Sequence, residues 1–137
     1  MKVRDYMTEA PVFANLNDGL HQTYRRMRER DIRHMLVVDD NELLVGIVSE
    51  RDLLRPSYVD DGPNQSGSYV LDNTGKVAAA MAPSPATVTP DQDILDAVSV
   101  MLERKYGAMP VVDGEGRAIG VLSVIDVLRA FWDHSRS

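Results

Sequence analysis

The chain has no cysteine, which excludes disulfides, thiolate metal sites and a cysteine nucleophile together. Long apolar runs are missing too. No stretch approaches the roughly 18 apolar residues of a membrane span, and Met1-Lys2-Val3-Arg4-Asp5 lacks the apolar run of a signal peptide. The expectation is a cytoplasmic protein with no membrane partner. Basic residues are in deficit, 15 against 21 acidic ones, for a net charge of -6. Such a balance opposes binding to nucleic acid or anionic lipid, so a small anion would bind only at a local positive site. The three histidines, His21, His34 and His134, are scattered without ligand spacing, so no metal site is expected. No serine, histidine and acid set is placed for nucleophilic catalysis either.

What the chain does contain is itself, twice. Moved back by 74 positions, residues 77–129 fall on residues 3–55 without a gap, with 15 identities in 53 positions. Among them are Met27 with Met101, Met35 with Met109, Gly46 with Gly120, Ser49 with Ser123 and Asp52 with Asp126. A supersecondary unit written twice predicts two stacked halves sharing a core, and any site built by one half repeated in the other. With 137 residues, 44% of them apolar, the chain is long enough for such a core. The recurring methionines read as core gap-fillers.

Each copy reads as helix, strand, strand, helix. In the second copy Thr89-Pro90-Asp91-Gln92 looks like a capped helix start, and Ile94, Ala97, Val98, Met101 and Leu102 follow helical spacing. Strands are expected at Met109 to Asp113 and Ala118 to Leu122, around a turn at Gly114-Glu115-Gly116, and Ser123 opens a final helix to about His134. The first copy repeats this: helix from about Leu16 to Arg30, strands Met35 to Asp39 and Leu43 to Val48 around Asp40-Asn41-Glu42, and a helix from Ser49 stopped early by Pro56. A short helical turn ending at Met7 or Met81 and an extended segment precede each copy. Residues 1–55 thus form the first repeat and 77–137 the second, with its C-terminal helix. The Gly, Pro, Asn, Ser and Asp-rich residues 56–76 form a linker. Tyr58, Tyr69, Val70 and Leu71 are placed to pin that long connection to the body, or its length merely spans the module.

The second-copy helices carry more apolar surface than one buried face uses. Val124, Ile125, Val127, Leu128, Ala130, Phe131 and Trp132 sweep an arc of roughly 220°, where a single-faced helix needs little more than 100°. The matching first-copy face is more polar, with His21 and Arg28 opposite Leu95 and Leu102. A homodimer using these helices is the expectation; cover by the linker or the tail is the alternative.

The residues that can carry chemistry are Gly46-Ile47-Val48-Ser49-Glu50-Arg51-Asp52 and Gly120-Val121-Leu122-Ser123-Val124-Ile125-Asp126. Each places a glycine in a strand, a serine at the strand-to-helix junction and an aspartate three residues on. Unpaired N–H groups and the serine hydroxyl at a helix start attract phosphate. Glycine would let a ligand approach the strand, and a first-turn carboxylate accepts from two vicinal hydroxyls, as ribose presents. Ser-x-x-Asp is equally an ordinary N-cap contributing about 1 kcal/mol to a helix.

With its surroundings the motif resembles a known family. Met7-Thr8 with Pro11, a helix, His34-Met35-Leu36-Val37-Val38-Asp39, a turn, then Gly46 to Leu54 look like a cystathionine-beta-synthase (CBS) domain. Two in tandem look like a CBS pair, or Bateman module. The resemblance covers 3–55 and 77–129. It implies an α+β fold of two pseudo-symmetric repeats, each with a small sheet and two packed helices, and a regulatory role binding adenosine-containing ligands between the repeats. It also implies that Ser49 with Asp52, and Ser123 with Asp126, touch phosphate or ribose. Adenine would lie against Val12, Phe13 and Ala14 with His34 and Met35 in copy one, and against Thr87 and Val88 with Ala108, Met109 and Pro110 in copy two. Where the family often has proline before Val-Val-Asp, copy one has Leu36.

The copies differ in charge. Arg33, His34 and Arg51 stand where copy two has Gly107, Ala108 and Ile125. Charge-assisted hydrogen bonds to phosphate are about twice as strong as neutral ones, so this basic cluster is assigned to phosphate, in either cleft. Solvated surface arginines are the alternative. The reading is a freestanding, non-catalytic sensor needing no cofactor, with AMP, ADP or ATP as regulatory ligand and an enzyme or transporter as its target. Its rivals are a ligand-free structural or interaction module, and a binder of S-adenosylmethionine.

Overall fold

The computed structural model describes residues 1–9, 12–54 and 75–136. A 3-10 turn at Val3–Asp5 leads into strands β1 (Thr8–Glu9) and β2 (Phe13–Asn15), helix α1 (Leu20–Glu29), the hairpin β3 (His34–Val38) and β4 (Leu44–Ser49), and helix α2 (Glu50–Leu53). The order returns in helix α3 (Val77–Ala80), strand β5 (Ala82–Pro83), helix α4 (Ile94–Arg104), the hairpin β6 (Ala108–Val112) and β7 (Ala118–Ser123), and helix α5 (Val124–Ser135). Opposite β2 the second half has a single parallel bridge, Val88 to Val111. The fold is α+β in two repeats. The linker reading for 56–74, with Pro56, Tyr58, Tyr69, Val70 and Leu71, lies outside the described residues.

Both long first helices start later than their spacing suggests. Asn15 to Asp18 forms a turn instead, in which Asn15 N donates to Asp18 Oδ2 at 2.9 Å and Asn17 N to Asn15 Oδ1 at 2.8 Å. The expected capping box at Thr89 does the same. Thr89 N donates to Gln92 Oε1 at 2.8 Å, and the helix opens only at Ile94, where Asp93 accepts from Leu95 N at 2.9 Å. Short polar side chains that bond their own backbone compete with helix, and here they win one turn of chain. The hairpin turns also correspond. Glu42 (φ 63) and Gly116 (φ 81) occupy equivalent left-handed positions, so copy one holds with glutamate a conformation that copy two gives to glycine. In the second turn, Arg117 N and Glu115 N donate to Asp113 Oδ1 and hold its carboxyl below the usual range.

The leading segments cross. β1 pairs antiparallel with β7 of the second half, and β5 with β4 of the first, giving sheets ordered β2-β3-β4-β5 and β1-β7-β6. Val3, fully buried, packs with Val88, Ile94, Met101, Met109 and Leu122, all from copy two. Its N–H donates to Gln92 O at 3.0 Å. Val77 reciprocates among Met27, Met35, Val48 and Leu53 of copy one. A third cluster, Leu36, Ile47 and Ala108 with Phe13, Leu44, Ala118 and Val121, joins the two sheets. Met27, Met35, Met101 and Met109 are all buried, and through Val3 and Val77 each half closes its core with a piece of the other.

This crossing explains the twin glycines differently from the sequence reading. A Cβ on Gly120 would stand 2.8 Å from Thr8 O, and one on Gly46 would stand 3.0 Å from Ala82 O and closer still to the Met81 sulfur. The close approach is made by the chain's own leading strands, not by a ligand.

Candidate ligand-binding clefts

Each hairpin ends in a strand-to-helix corner whose serine and aspartate clasp one another. Ser49 N donates to Asp52 Oδ2 at 2.9 Å, and Asp52 N to Ser49 Oγ at 3.0 Å. In the twin, Ser123 N and Oγ donate to Asp126 Oδ2 at 2.8 and 3.0 Å, and Asp126 N returns to Ser123 Oγ at 3.2 Å. Both are therefore true capping boxes. The cap engages only Oδ2. Among the described residues nothing bonds Asp52 Oδ1, while Arg129 stands 3.5 Å from Asp126 Oδ1. A carboxylate has about four acceptor sites, so capping and ribose binding do not exclude each other.

Two clefts open at these corners. The first, about 950 Å³, is built on Ser49, Glu50, Arg51, Asp52 and Leu54 from one side. Lys105, Tyr106, Gly107 and Ala108 from the other half face them, with Arg33, His34, Ile47 and Ala82 between. The second, about 670 Å³, sets Ser123, Val124, Ile125 and Asp126 against Arg30, Asp31, Ile32, Arg33 and His34, with Thr8, Val12, Val121 and Gly107 between. Both volumes suit a nucleotide-sized ligand. Each cleft thus takes its corner from one copy and its facing loop from the other, as the pseudo-two-fold axis requires. Backbone bonds hold these loops: Glu50 N donates to Arg33 O at 2.9 Å and Val124 N to Gly107 O at 3.0 Å.

His34 sits on the shared wall. A Cβ on Gly107 would stand 3.1 Å from its Nε2, so the imidazole fills the space that glycine leaves. Burial pushes the His34 pKa below its ordinary value, with Arg33 adding to that shift and Asp52 opposing it. A histidine depressed in the fold binds fewer protons folded than unfolded. Stability is therefore full above about 6.5 and falls as pH drops from there through the lowered folded value. The expected result is a melting temperature that declines on mild acidification, a decline partly removed in His34→Asn. Equal slopes for the two chains would contradict it.

Of the sequence-selected residues, Ser49, Asp52, Arg51, Arg33, His34 and Ala108 line the first cleft. Ser123, Asp126, Arg33, His34 and Val12 line the second. Val12 and Ala108 thereby border the cleft opposite to their own copy's corner. Phe13, Ala14, Met35, Thr87, Val88, Met109 and Pro110 line neither. The reason is strand alternation: His34 faces the clefts, so Met35 points into its own half's core, as Met109 does in the twin. Ala14 and Val88 are likewise core, Phe13 packs between the sheets, and Thr87 is exposed. Lys105, Tyr106, Asp31 and Ile32 were not legible as wall residues. The repeat carried Arg33 and His34 onto Gly107 and Ala108, and two steps further back the same shift would have reached them. Among the described residues no group of three His, Asp or Glu is arranged to hold a metal ion, and no helix is long and apolar enough to cross a membrane.

Comparison with known proteins places this geometry in context. The CBS domain family matches residues 3–57 and 70–133. The chloroplastic CBS domain-containing protein CBSX2 of Arabidopsis thaliana is 33% identical over 121 residues, covering 74% of this chain and 50% of CBSX2. The chain therefore spans about half the length of that relative. The crystal structure of CBSX2 in complex with AMP matches with a TM-score of 0.77 at 30% identity, over 98% of both chains. The CBS domain pair of protein MJ0100, in complex with 5′-methylthioadenosine and S-adenosyl-L-methionine, matches with a TM-score of 0.81 over 98% of both chains. At 20% identity that second likeness is one of fold.

Proposed function

We propose, from the premise that this chain belongs to the CBS-domain family as a tandem pair, that its two clefts bind adenine nucleotides and that it acts as a non-catalytic regulatory unit. The observation that carries this reading is the twin corner. Ser49 with Asp52, and Ser123 with Asp126, stand at the mouths of equivalent clefts, each carboxylate held by its own cap. The AMP bound by CBSX2, at 30% identity over the same fold, supports AMP, ADP or ATP as the ligand. Regulation follows if the ligand binds one arrangement of the halves better than another, since only differential affinity shifts an equilibrium. The listener is an enzyme or transporter. Calorimetry of the full chain with AMP, ADP, ATP and S-adenosylmethionine tests the reading. Saturable binding of a nucleotide supports it; binding of S-adenosylmethionine alone replaces the ligand, and no binding at all leaves an interaction module.

The same reading includes a homodimer. Leu95, Leu102, Ile125, Leu128, Phe131 and Trp132 lie on α4 and α5, each more than half exposed, beyond what scattered surface apolar residues account for. A second copy of this chain, bringing the same face about a two-fold axis, covers them. Trp132→Glu is expected to halve the mass seen in sedimentation. A monomeric wild type, or an unchanged sedimentation profile in the variant, would remove this interface.

A further inference from the structure

The arginines of the first repeat serve different ends. Between positions 25 and 33 stand Arg25, Arg26, Arg28, Arg30 and Arg33 against Glu29 and Asp31, in a chain whose net charge is -6. Arg26 turns inward, donating to Phe13 O at 2.7 Å and to Asp18 Oδ2 at 3.4 Å. Arg30 and Arg33 border the clefts. Arg25 and Arg28 border neither, and both are exposed. Arg25 has no ion pair among the described residues, and Arg28 has a 3.4 Å contact with Glu50 at the surface, where such pairs hold weakly. With His21 these two arginines occupy i, i+4 and i+7 of α1, one stripe about 10 Å long at the helical rise. The shift of 74 carries that stripe onto Leu95, Ser99 and Leu102 of α4, the face assigned above to a second copy.

We propose that the stripe of His21, Arg25 and Arg28 docks an acidic segment of a partner protein through its carboxylates. Duplication put one such face on each repeat, and the two have parted in chemistry. Leucines brought together about a two-fold axis cover one another, whereas guanidiniums brought together in the same way repel, so a second copy does not close this face as it closes its twin. Arginine's planar fork donates two parallel hydrogen bonds to one carboxylate, and a short acidic segment confines its charge to the stripe. The phosphates of a nucleic acid run beyond it and meet the exposed Glu29 and Asp31 and the negative remainder of the chain. The docking does not depend on what the clefts hold.

The test is fluorescence anisotropy of the full chain with a labelled peptide alternating glutamate and serine. Beside it run the same peptide with glutamine for glutamate and a single-stranded oligonucleotide of equal charge. The glutamate peptide is expected to bind best, and more weakly as salt rises. Arg25→Glu together with Arg28→Glu should weaken it about tenfold, as two attractions become repulsions. Arg25→Glu alone, which breaks no ion pair among the described residues, should give part of that loss. Arg117→Glu, an exposed reversal beside the turn between β6 and β7, should leave the peptide's affinity nearly unchanged. Because Arg25 and Arg28 are exposed and line neither cleft, the double variant should melt with the wild type and keep its response to AMP. No binding of the glutamate peptide, equal binding of its glutamine counterpart, tighter binding of the oligonucleotide, or an unaffected double variant overturns the proposal. A double variant of half the wild-type mass in sedimentation also overturns it, and gives the face to a second copy. The adenosine reading stands or falls separately, on the AMP titration.

Discussion

A chain carrying Val3→Asp is expected to lose about 3–5 kcal/mol of stability, the cost typical of a charge left buried without a partner. That is a large part of the roughly 5–15 kcal/mol that holds a domain of this size, so the variant should be mostly unfolded by modest urea. The change is costly because Val3 is fully buried among Ile94, Met101, Met109 and Leu122 of the opposite half. Val77→Asp should act alike through Met27, Met35 and Leu53. Val3→Ala should cost less, since it removes two methyl-sized groups at about 0.8 kcal/mol each plus a small cavity. Urea melts followed by circular dichroism measure all three. A Val3→Asp chain that melts with the wild type would show that the leading turn does not close the second core.

That crossing marks the limit of what the sequence discloses. The repeat placed the hairpins and the two long helices, because β-branched runs and helical spacing extend over enough residues to show a period. Thr8–Glu9 and Ala82–Pro83 have two residues each, too few for any period, and only the partner strand in the other half defines them. The same crossing reassigned Gly46 and Gly120 from ligand approach to strand approach. It also placed Val12 and Ala108 on the cleft opposite their own copy's corner. The corners themselves were fully legible, since a cap is a local pattern within four residues. The walls were not, since Lys105 and Tyr106 come to line one cleft with Asp52 only through the fold.

Asp52→Ala is expected to weaken AMP binding at least tenfold, about 1.4 kcal/mol, while lowering stability by only about 1 kcal/mol, the worth of a cap. The two effects separate because the carboxylate has two oxygens. Oδ2 accepts from Ser49 N, and its loss is the structural cost. Oδ1 has no partner among the described residues and lies on a residue that lines the first cleft, so its loss falls on the ligand. Asp52→Asn divides them further, because an amide oxygen can still accept from Ser49 N but leaves one acceptor where there were two. It should melt near the wild type and still bind AMP weakly. At Asp126, which is 6% exposed and bonded at both oxygens, alanine should cost more stability. Thermal melts beside calorimetric titrations give both quantities. Reduced stability with unchanged affinity at Asp52 would mean that the corner is a cap and nothing more.

The account stands most directly on where an adenosine ligand sits. A crystal structure of the full chain grown with saturating AMP is expected to show the nucleotide in the first cleft, between the two halves. Its ribose hydroxyls should lie on Asp52 and its phosphate toward Arg51 and Lys105. AMP bound elsewhere on the surface, or a first cleft still without nucleotide at saturation, would contradict it.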